Sequence, residues 1–168
     1  MKLPLCGPEV FSDAHDVSSF DCGCDALNRF LKRHALNNQR NQSARTYVAL
    51  RGEVRVVGFY TMAAASAEFD VVPARIAKGL ARHSIPLTLL ARLAIDLTEQ
   101  GAGLGTGLLK DALKRFLQSQ AIIGSRALVV QAKDDRASAF YQHFGFISSP
   151  IDSCHLYLLT KDISASML

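Results

Sequence analysis

Gln100-Gly101-Ala102-Gly103-Leu104-Gly105 decides the fold, because this stretch lies between an apolar run, Pro86 to Ile95, and an amphipathic segment that begins at Leu104. A glycine turn that leaves a strand and opens a helix is an anion cradle. With little or no side chain in the way, backbone N–H groups converge on a phosphate, and the first helical turn adds the positive end of the helix dipole. The helix is supported by Leu104, Leu108, Leu109, Ala112, Leu113, Phe116 and Leu117, which recur at the spacing of about 3.6 residues. Lys110, Asp111, Lys114 and Arg115 take the other side.

Spacing narrows the phosphate ligand. A Walker A loop ends in Gly-Lys-Ser/Thr, whereas Gly107 is followed by Leu108 and Leu109, so the lysine that reaches a terminal phosphate is missing. The dinucleotide pattern GxGxxG fails in both registers, since the third glycine would stand at Thr106 or Leu108. No acidic residue lies about 20 positions downstream to hold a ribose.

The chain has 168 residues, 49% of them apolar and 20% charged, which suits one domain with one core, so 1–168 is expected to form a single catalytic domain. No apolar run approaches the roughly 18 residues of a membrane span, and Met1-Lys-Leu-Pro-Leu-Cys-Gly-Pro lacks the apolar core of a signal peptide. The expectation is a cytoplasmic protein that does not engage a membrane. Cys6, Cys22, Cys24 and Cys154 are scattered, and Cys22-Gly-Cys24 is neither a CxxC pair nor accompanied by a second ligand pair. Reduced cysteines and no metal are therefore expected.

The order of elements predicts a mixed α/β fold. A strand near Leu3 to Phe11 precedes a helix from about Cys24 to Gln39, then a hairpin in which Thr46 to Leu50 and Val54 to Ala64 flank Arg51-Gly-Glu. A short helical segment follows around Ala74 to Ala81, then a strand over Leu87 to Ile95 and the Leu104 to Gln118 helix. The chain closes with a strand over Ala127 to Gln131, a helix over Ala137 to His143 and a strand near His155 to Leu159. Antiparallel strands followed by a βαβ unit imply a mixed, mostly antiparallel central sheet with helices on both faces.

Three signatures now stand in one order. Gln100, Gly103 and Gly105 form QxxGxG; Phe140-Tyr-Gln-His-Phe-Gly-Phe146 forms FYxxFGF after the Ala127 to Gln131 strand; and Leu93-Ala-Ile95 ends the strand before the loop. Together they resemble the GNAT N-acetyltransferase superfamily. The resemblance implies the GNAT fold, acetyl-CoA as co-substrate, and its pyrophosphate on the backbone of Gln100, Gly101, Ala102, Gly103, Leu104, Gly105 and Thr106. It also implies a pantetheine arm along Leu93, Ala94 and Ile95, and Tyr141 beside the CoA sulfur as the proton donor.

Charge separates this chain from a generic member. Between Ala26 and Ile95 eleven Lys and Arg face three acids, a local balance of +8 in a chain whose total is +4. Arg29, Lys32, Arg33 and Arg40 share one face of the first helix, roughly opposite Leu27, Phe30, Leu31 and Ala35. Arg45, Arg75, Lys78, Arg82 and Arg92 continue the excess, which favours a polyanionic partner with phosphates beyond those of CoA. The segment Phe20-Asp-Cys-Gly-Cys-Asp-Ala-Leu-Asn-Arg-Phe-Leu31, with Asn37-Asn-Gln39, Thr46-Tyr-Val48 and Gly58-Phe-Tyr60, is similar to the TacT-like toxins of type II toxin–antitoxin modules. That similarity implies acetylation of the α-amine of aminoacyl-tRNA, which blocks translation, together with a homodimer and a ribbon-helix-helix antitoxin.

The chemistry agrees. A lysine amine, with a pKa of about 10.4, demands a general base, whereas an α-amine near 7.7 to 8.0 is already partly neutral at about pH 7. The Leu87 to Ile95 strand carries no Asp or Glu, and the nearest acids are Asp96 and Glu99. Arg92, a cation in an otherwise apolar strand, needs a partner, either a structural carboxylate or a substrate phosphate. Two other readings stay open: an N-acetyltransferase acting on a protein or peptide, such as a ribosomal protein, and a non-catalytic nucleic-acid-binding module. The first should favour an acidic or apolar groove, and the second has no need of QxxGxG.

Overall fold

The computed structural model describes residues 2–163. Among them the elements run β1 (Leu5–Val10), α1 (Asp25–Arg29), a π-helical turn (Phe30–His34), α2 (Ala35–Arg40), β2 (Arg45–Arg51) and β3 (Arg55–Ala67). Then follow α3 (Ala74–Ala77), β4 (Ile85–Ile95), α4 (Leu104–Ser119), β5 (Ala127–Gln131), α5 (Asp135–His143), β6 (Ile147–Ser148) and β7 (His155–Leu159). The seven strands lie in the order β1-β2-β3-β4-β5-β7-β6. Pairing is antiparallel for β1 with β2, β2 with β3, β5 with β7 and β6 with β7, and parallel for β4 with β5. The expected mixed α/β fold with a mostly antiparallel sheet is the fold observed. The chain groups into two compact units, one running to Ala63 and taking in Ala91–Ala112, the other holding Ala64–Leu90 and the described residues from Leu113 onward.

The first unit has an aromatic core. Phe59 is fully buried, with the Phe20 ring edge-on at 5.6 Å and the Phe30 ring stacked at 6.2 Å, among Phe11, Leu31, Val48, Leu50, Val56 and Ala94. The expected Cys24 to Gln39 helix is helical over nearly the same span but is interrupted by the π-turn. Phe30, Leu31 and Ala35 are all buried, and the Ala35 N–H donates to the Phe30 carbonyl five residues back. An α-turn would rotate that fivefold spacing off the core; the wider turn keeps it in register and leaves Lys32, Arg33 and His34 exposed.

The second unit packs Val72, Ile76, Ala77, Ile85, Leu87, Ala127, Val129, Tyr157 and Leu159 together. β5 is buried for four residues in a row, as a strand flanked on both sides by neighbours should be. The expected Ala74 to Ala81 helix stops at Ala77, because Lys78 turns extended with a ψ of 125° and Gly79 takes a φ of 81°, a type II turn that the Leu80 N–H closes on the Ala77 carbonyl at 3.0 Å. β4 begins two residues earlier than expected, at Ile85, and β6 is a two-residue strand too short for periodicity to detect. No helix among the described residues is long and apolar enough to cross a membrane.

Phe59→Ala should destabilise the protein by about 3–5 kcal/mol, the range for deleting a fully buried aromatic side chain. Urea denaturation should show a lower midpoint with an unchanged slope.

Candidate functional site

The end of β4 is turned by side chains rather than by its backbone alone. Asp96 is buried, and its carboxylate accepts from the Thr98 N–H at 2.9 Å, the Thr98 hydroxyl at 2.6 Å and the Asp21 N–H at 3.0 Å. Burial pushes its pKa up, but these hydrogen bonds and the charge of Arg55 outweigh that and hold it below the usual carboxylate range. Three residues on, buried Glu99 receives a two-pronged pair from Arg51, Nε at 3.0 Å and Nη2 at 2.8 Å. The Arg51 hydrogen bonds lower the Glu99 pKa against its burial. The Gln100 side-chain amide donates back to the Ile95 carbonyl at 2.9 Å and to the Cys22 carbonyl at 3.2 Å. Both acids nearest the strand are thus ionised and fully engaged, which unfits them for proton abstraction.

Beyond Gln100 the chain opens. Gly101 and Gly103 hold left-handed φ of 83° and 85°, which side chains rarely tolerate. Gly105 has no such φ, and a Cβ there would meet only Ile95, at an ordinary 3.8 Å. At Gly105 neither backbone conformation nor internal packing excludes a side chain. The first turn of α4 closes with the Gly107 N–H on the Gly103 carbonyl at 3.1 Å, and the N–H groups before it have no partner within the helix. An anion with extended oxygens fits this cradle. Gly58 on β3 seats the helix: a Cβ there would meet Leu104, Leu108 and Ile95 at 3.2 to 3.3 Å. Of the strand residues expected to hold a pantetheine arm, Ala94 is buried, while Leu93 and Ile95 are half-buried.

In the second unit, Tyr141 lies in the last turn of α5, whose N-terminus Asp134 caps by accepting from the Ala137 N–H at 2.8 Å. The helix ends in a Schellman motif: the Phe146 N–H donates to the Tyr141 carbonyl at 3.3 Å and the Gly145 N–H to the Gln142 carbonyl at 3.0 Å, with Gly145 at φ 93°. This reversal lays Phe146 edge-on to the Tyr141 ring at 5.4 Å, and Phe140 flanks it at 5.2 Å. The FYxxFGF pattern is therefore a helix stop that folds an aromatic cage around one tyrosine. Burial pushes the Tyr141 pKa up to about 12, so the phenol keeps its proton at neutral pH. Its hydroxyl has no hydrogen-bond partner among the described residues, yet no buried polar side-chain atom among them lacks one; the oxygen therefore reaches solvent. His143, two residues on, is exposed.

The basic residues divide by what already holds them. Arg40 pairs with Asp13 at 2.8 Å, Arg75 with Asp162 at 2.5 Å and Arg82 with Asp70 at 2.7 Å. Arg29, Lys32, Arg33, Arg45 and Lys78 are exposed and have no ion pair among the described residues. Arg92 has no carboxylate partner among the described residues; its guanidinium lies over the face of Phe30, 3.7 Å from the guanidinium carbon to the ring centroid. Arg51, Glu99, Asp96 and Gly58 were not singled out from sequence as parts of the loop's support. Only the adjacency of Asp96 and Glu99 to QxxGxG pointed to them. Among the described residues no cluster of three or more His, Cys, Asp or Glu could hold a metal ion.

Residues 42–148 match the acetyltransferase (GNAT) domain family. The chain is 44% identical over 158 residues to the tRNA-acetylating toxin of Mycobacterium tuberculosis (strain ATCC 25618 / H37Rv), covering 94% of each. Among solved structures it is similar to AtaT complexed with acetyl-methionyl-tRNAfMet, with a TM-score of 0.85, 31% identity, and 94% of this chain and 95% of that one covered. It is also similar to a mutant AtaT toxin bound to the C-terminus of the antitoxin AtaR and acetyl-CoA, with a TM-score of 0.79, 31% identity, and coverage of 94% and 93%.

Glu99→Gln tests the loop's support. The Glu99 pKa is lowered by folding, so its stabilisation is complete above the unfolded value near about 4.3 and is lost as pH falls through the folded one. The variant should lose that part of the acid-side dependence in thermal melts. It should also weaken acetyl-CoA binding by calorimetry about tenfold, the scale of one lost charge-assisted hydrogen bond.

Proposed function

We infer the function from one premise: the chain belongs to the GNAT acetyltransferases. It is an N-acetyltransferase that uses acetyl-CoA. The acceptor we assign is the α-amine of the amino acid on an aminoacyl-tRNA, so that the protein is a toxin that stops translation by blocking peptide-bond formation. What carries this reading is the likeness, along nearly the whole chain, to a relative named for acetylating tRNA. The α-amine chemistry is consistent with it. Asp96 and Glu99 are held as engaged carboxylates, so neither serves as a base, and a partly neutral α-amine needs none.

The residues then take these roles. The N–H groups of Gly101, Ala102, Gly103, Leu104, Gly105 and Thr106 receive the pyrophosphate, behind the Gln100 clamp. Leu93, Ala94 and Ile95 line the pantetheine arm. Acetyl-CoA supplies an acyl thioester. The amine nitrogen forms a bond to the thioester carbonyl carbon, the carbon–sulfur bond breaks, and Tyr141 gives its proton to the departing sulfur. The proton shed by the amine goes to water, and Tyr141 is reprotonated from solvent through its solvent-reaching oxygen. Arg29, Lys32, Arg33, Arg45 and Lys78 meet the tRNA first, being exposed and unpaired, whereas Arg40, Arg75 and Arg82 must first leave their carboxylates. The reading further places residues 1–168 in one catalytic domain, makes the active form a cytoplasmic homodimer, and gives it a ribbon-helix-helix antitoxin.

Tyr141→Phe should lower turnover by roughly 10²- to 10⁴-fold with little change in acetyl-CoA affinity, as removal of a general acid does. Loss of stability with normal turnover would make Tyr141 a packing residue only. Wild-type kcat/KM should rise with pH through the substrate amine's pKa near about 7.7 to 8.0 and then stay level to about pH 9.5, because Tyr141 at about 12 remains protonated throughout. Incubation with labelled acetyl-CoA and total charged tRNA should label the aminoacyl end. If tRNA stays unlabelled and expression is harmless, the toxin reading fails and the GNAT assignment alone stands.

A further inference from the structure

Arg92 sits on β4, the strand that ends in the loop, and is half-buried with its guanidinium laid over Phe30. Phe30 is the first residue of the π-turn, so the same turn that exposes Lys32 and Arg33 also provides the aromatic floor under Arg92. Arg40, Arg75 and Arg82 have each found a carboxylate, and Arg51 has found Glu99; Arg92 has none among the described residues. Burial without a counter-ion lowers the guanidinium pKa, the mark of a charge that folding leaves uncompensated. The ring occupies one face of the planar fork and takes no N–H hydrogen bond, so the donors along its edge remain for an anion of matching planar geometry. Phosphate oxygens fit that edge.

Building on the aminoacyl-tRNA reading, we propose that Arg92, held flat on Phe30, binds a phosphodiester at the acceptor end of the tRNA and so positions the aminoacyl group for transfer. The neighbouring exposed cations Arg29, Lys32 and Arg33 attract the polyanion, and Arg92 fixes one of its phosphates. A phosphate of acetyl-CoA is the other source of the same chemistry, and the two are separated by measurement.

Three substrates are compared: charged tRNA, an aminoacyl-CpA dinucleotide with one internucleotide phosphate, and an aminoacyl-adenosine with none. Arg92→Gln should cut kcat/KM about tenfold or more on the first two, mainly through KM, and leave the phosphate-free substrate unchanged. The log–log salt dependence of tRNA binding should become shallower by about 0.7, one single-strand phosphate contact. Arg92→Lys, which keeps the charge but not the fork, should recover part of the loss, and Phe30→Leu should show a smaller loss on the same two substrates. Equal loss on all three substrates, or none, overturns the proposal and makes the stack a structural contact. Weakened acetyl-CoA binding by calorimetry, with tRNA KM unchanged, assigns the phosphate to CoA and overturns it as well. If wild-type protein leaves charged tRNA unlabelled, the tRNA reading itself falls; if tRNA is labelled and Arg92→Gln acts normally on it, only the role of Arg92 falls.

Discussion

Backbone N–H groups that are to receive an anion must be left without protein partners and still be held in place. In the turn after β4 this is done by neighbouring side chains: Asp96 fixes the chain as it leaves the strand, Arg51 anchors Glu99, and Gln100 reaches back to the strand's last carbonyl. Their effect is to fix the chain as far as Gln100, immediately before Gly101 to Gly105. Gly58 adds to this from β3, since a Cβ there would crowd the Leu104, Leu108 and Ile95 side chains that pack α4 on the strand.

The same economy appears at α5, where the local sequence does nearly all of the work. A Schellman stop needs a residue with left-handed φ and an apolar contact across the reversal; Gly145 supplies the first, and the Phe146 to Tyr141 contact supplies the second. The packing that buries the Tyr141 ring leaves its phenol only partly solvated, and that burial pushes its pKa up to about 12. At this residue the burial that packs the ring is also what keeps the phenol protonated at neutral pH.

Local patterns were legible because their causes are local. The glycine loop, the amphipathic α4, the hairpin strands and the FYxxFGF stop each depend on residues within about one helical turn or one strand, and the sequence reading found all of them. What it missed depends on pairs far apart in the chain. Arg51 and Glu99 are separated by 48 positions, and no periodicity links them. The π-turn follows from the demand of Phe30, Leu31 and Ala35 for one core, a demand the sheet makes and the helix sequence does not reveal. The charge balance between Ala26 and Ile95 overstated the free charge for a related reason: Asp13 and Asp162, which neutralise Arg40 and Arg75, lie outside that window.

Which amine an acetyltransferase accepts depends in part on whether it offers a base. An enzyme acting on lysine must remove a proton held at about 10.4, which requires a group that is both unoccupied and basic. Beside the loop Asp96 and Glu99 are anchored as carboxylates, and Tyr141 keeps its proton at neutral pH, so none of these three groups is poised to take a proton from an ammonium. An acceptor that arrives already partly neutral asks no proton transfer of them. Among the common amines of the cell this favours an α-amine over a side-chain lysine, before any contact with the rest of the substrate is made.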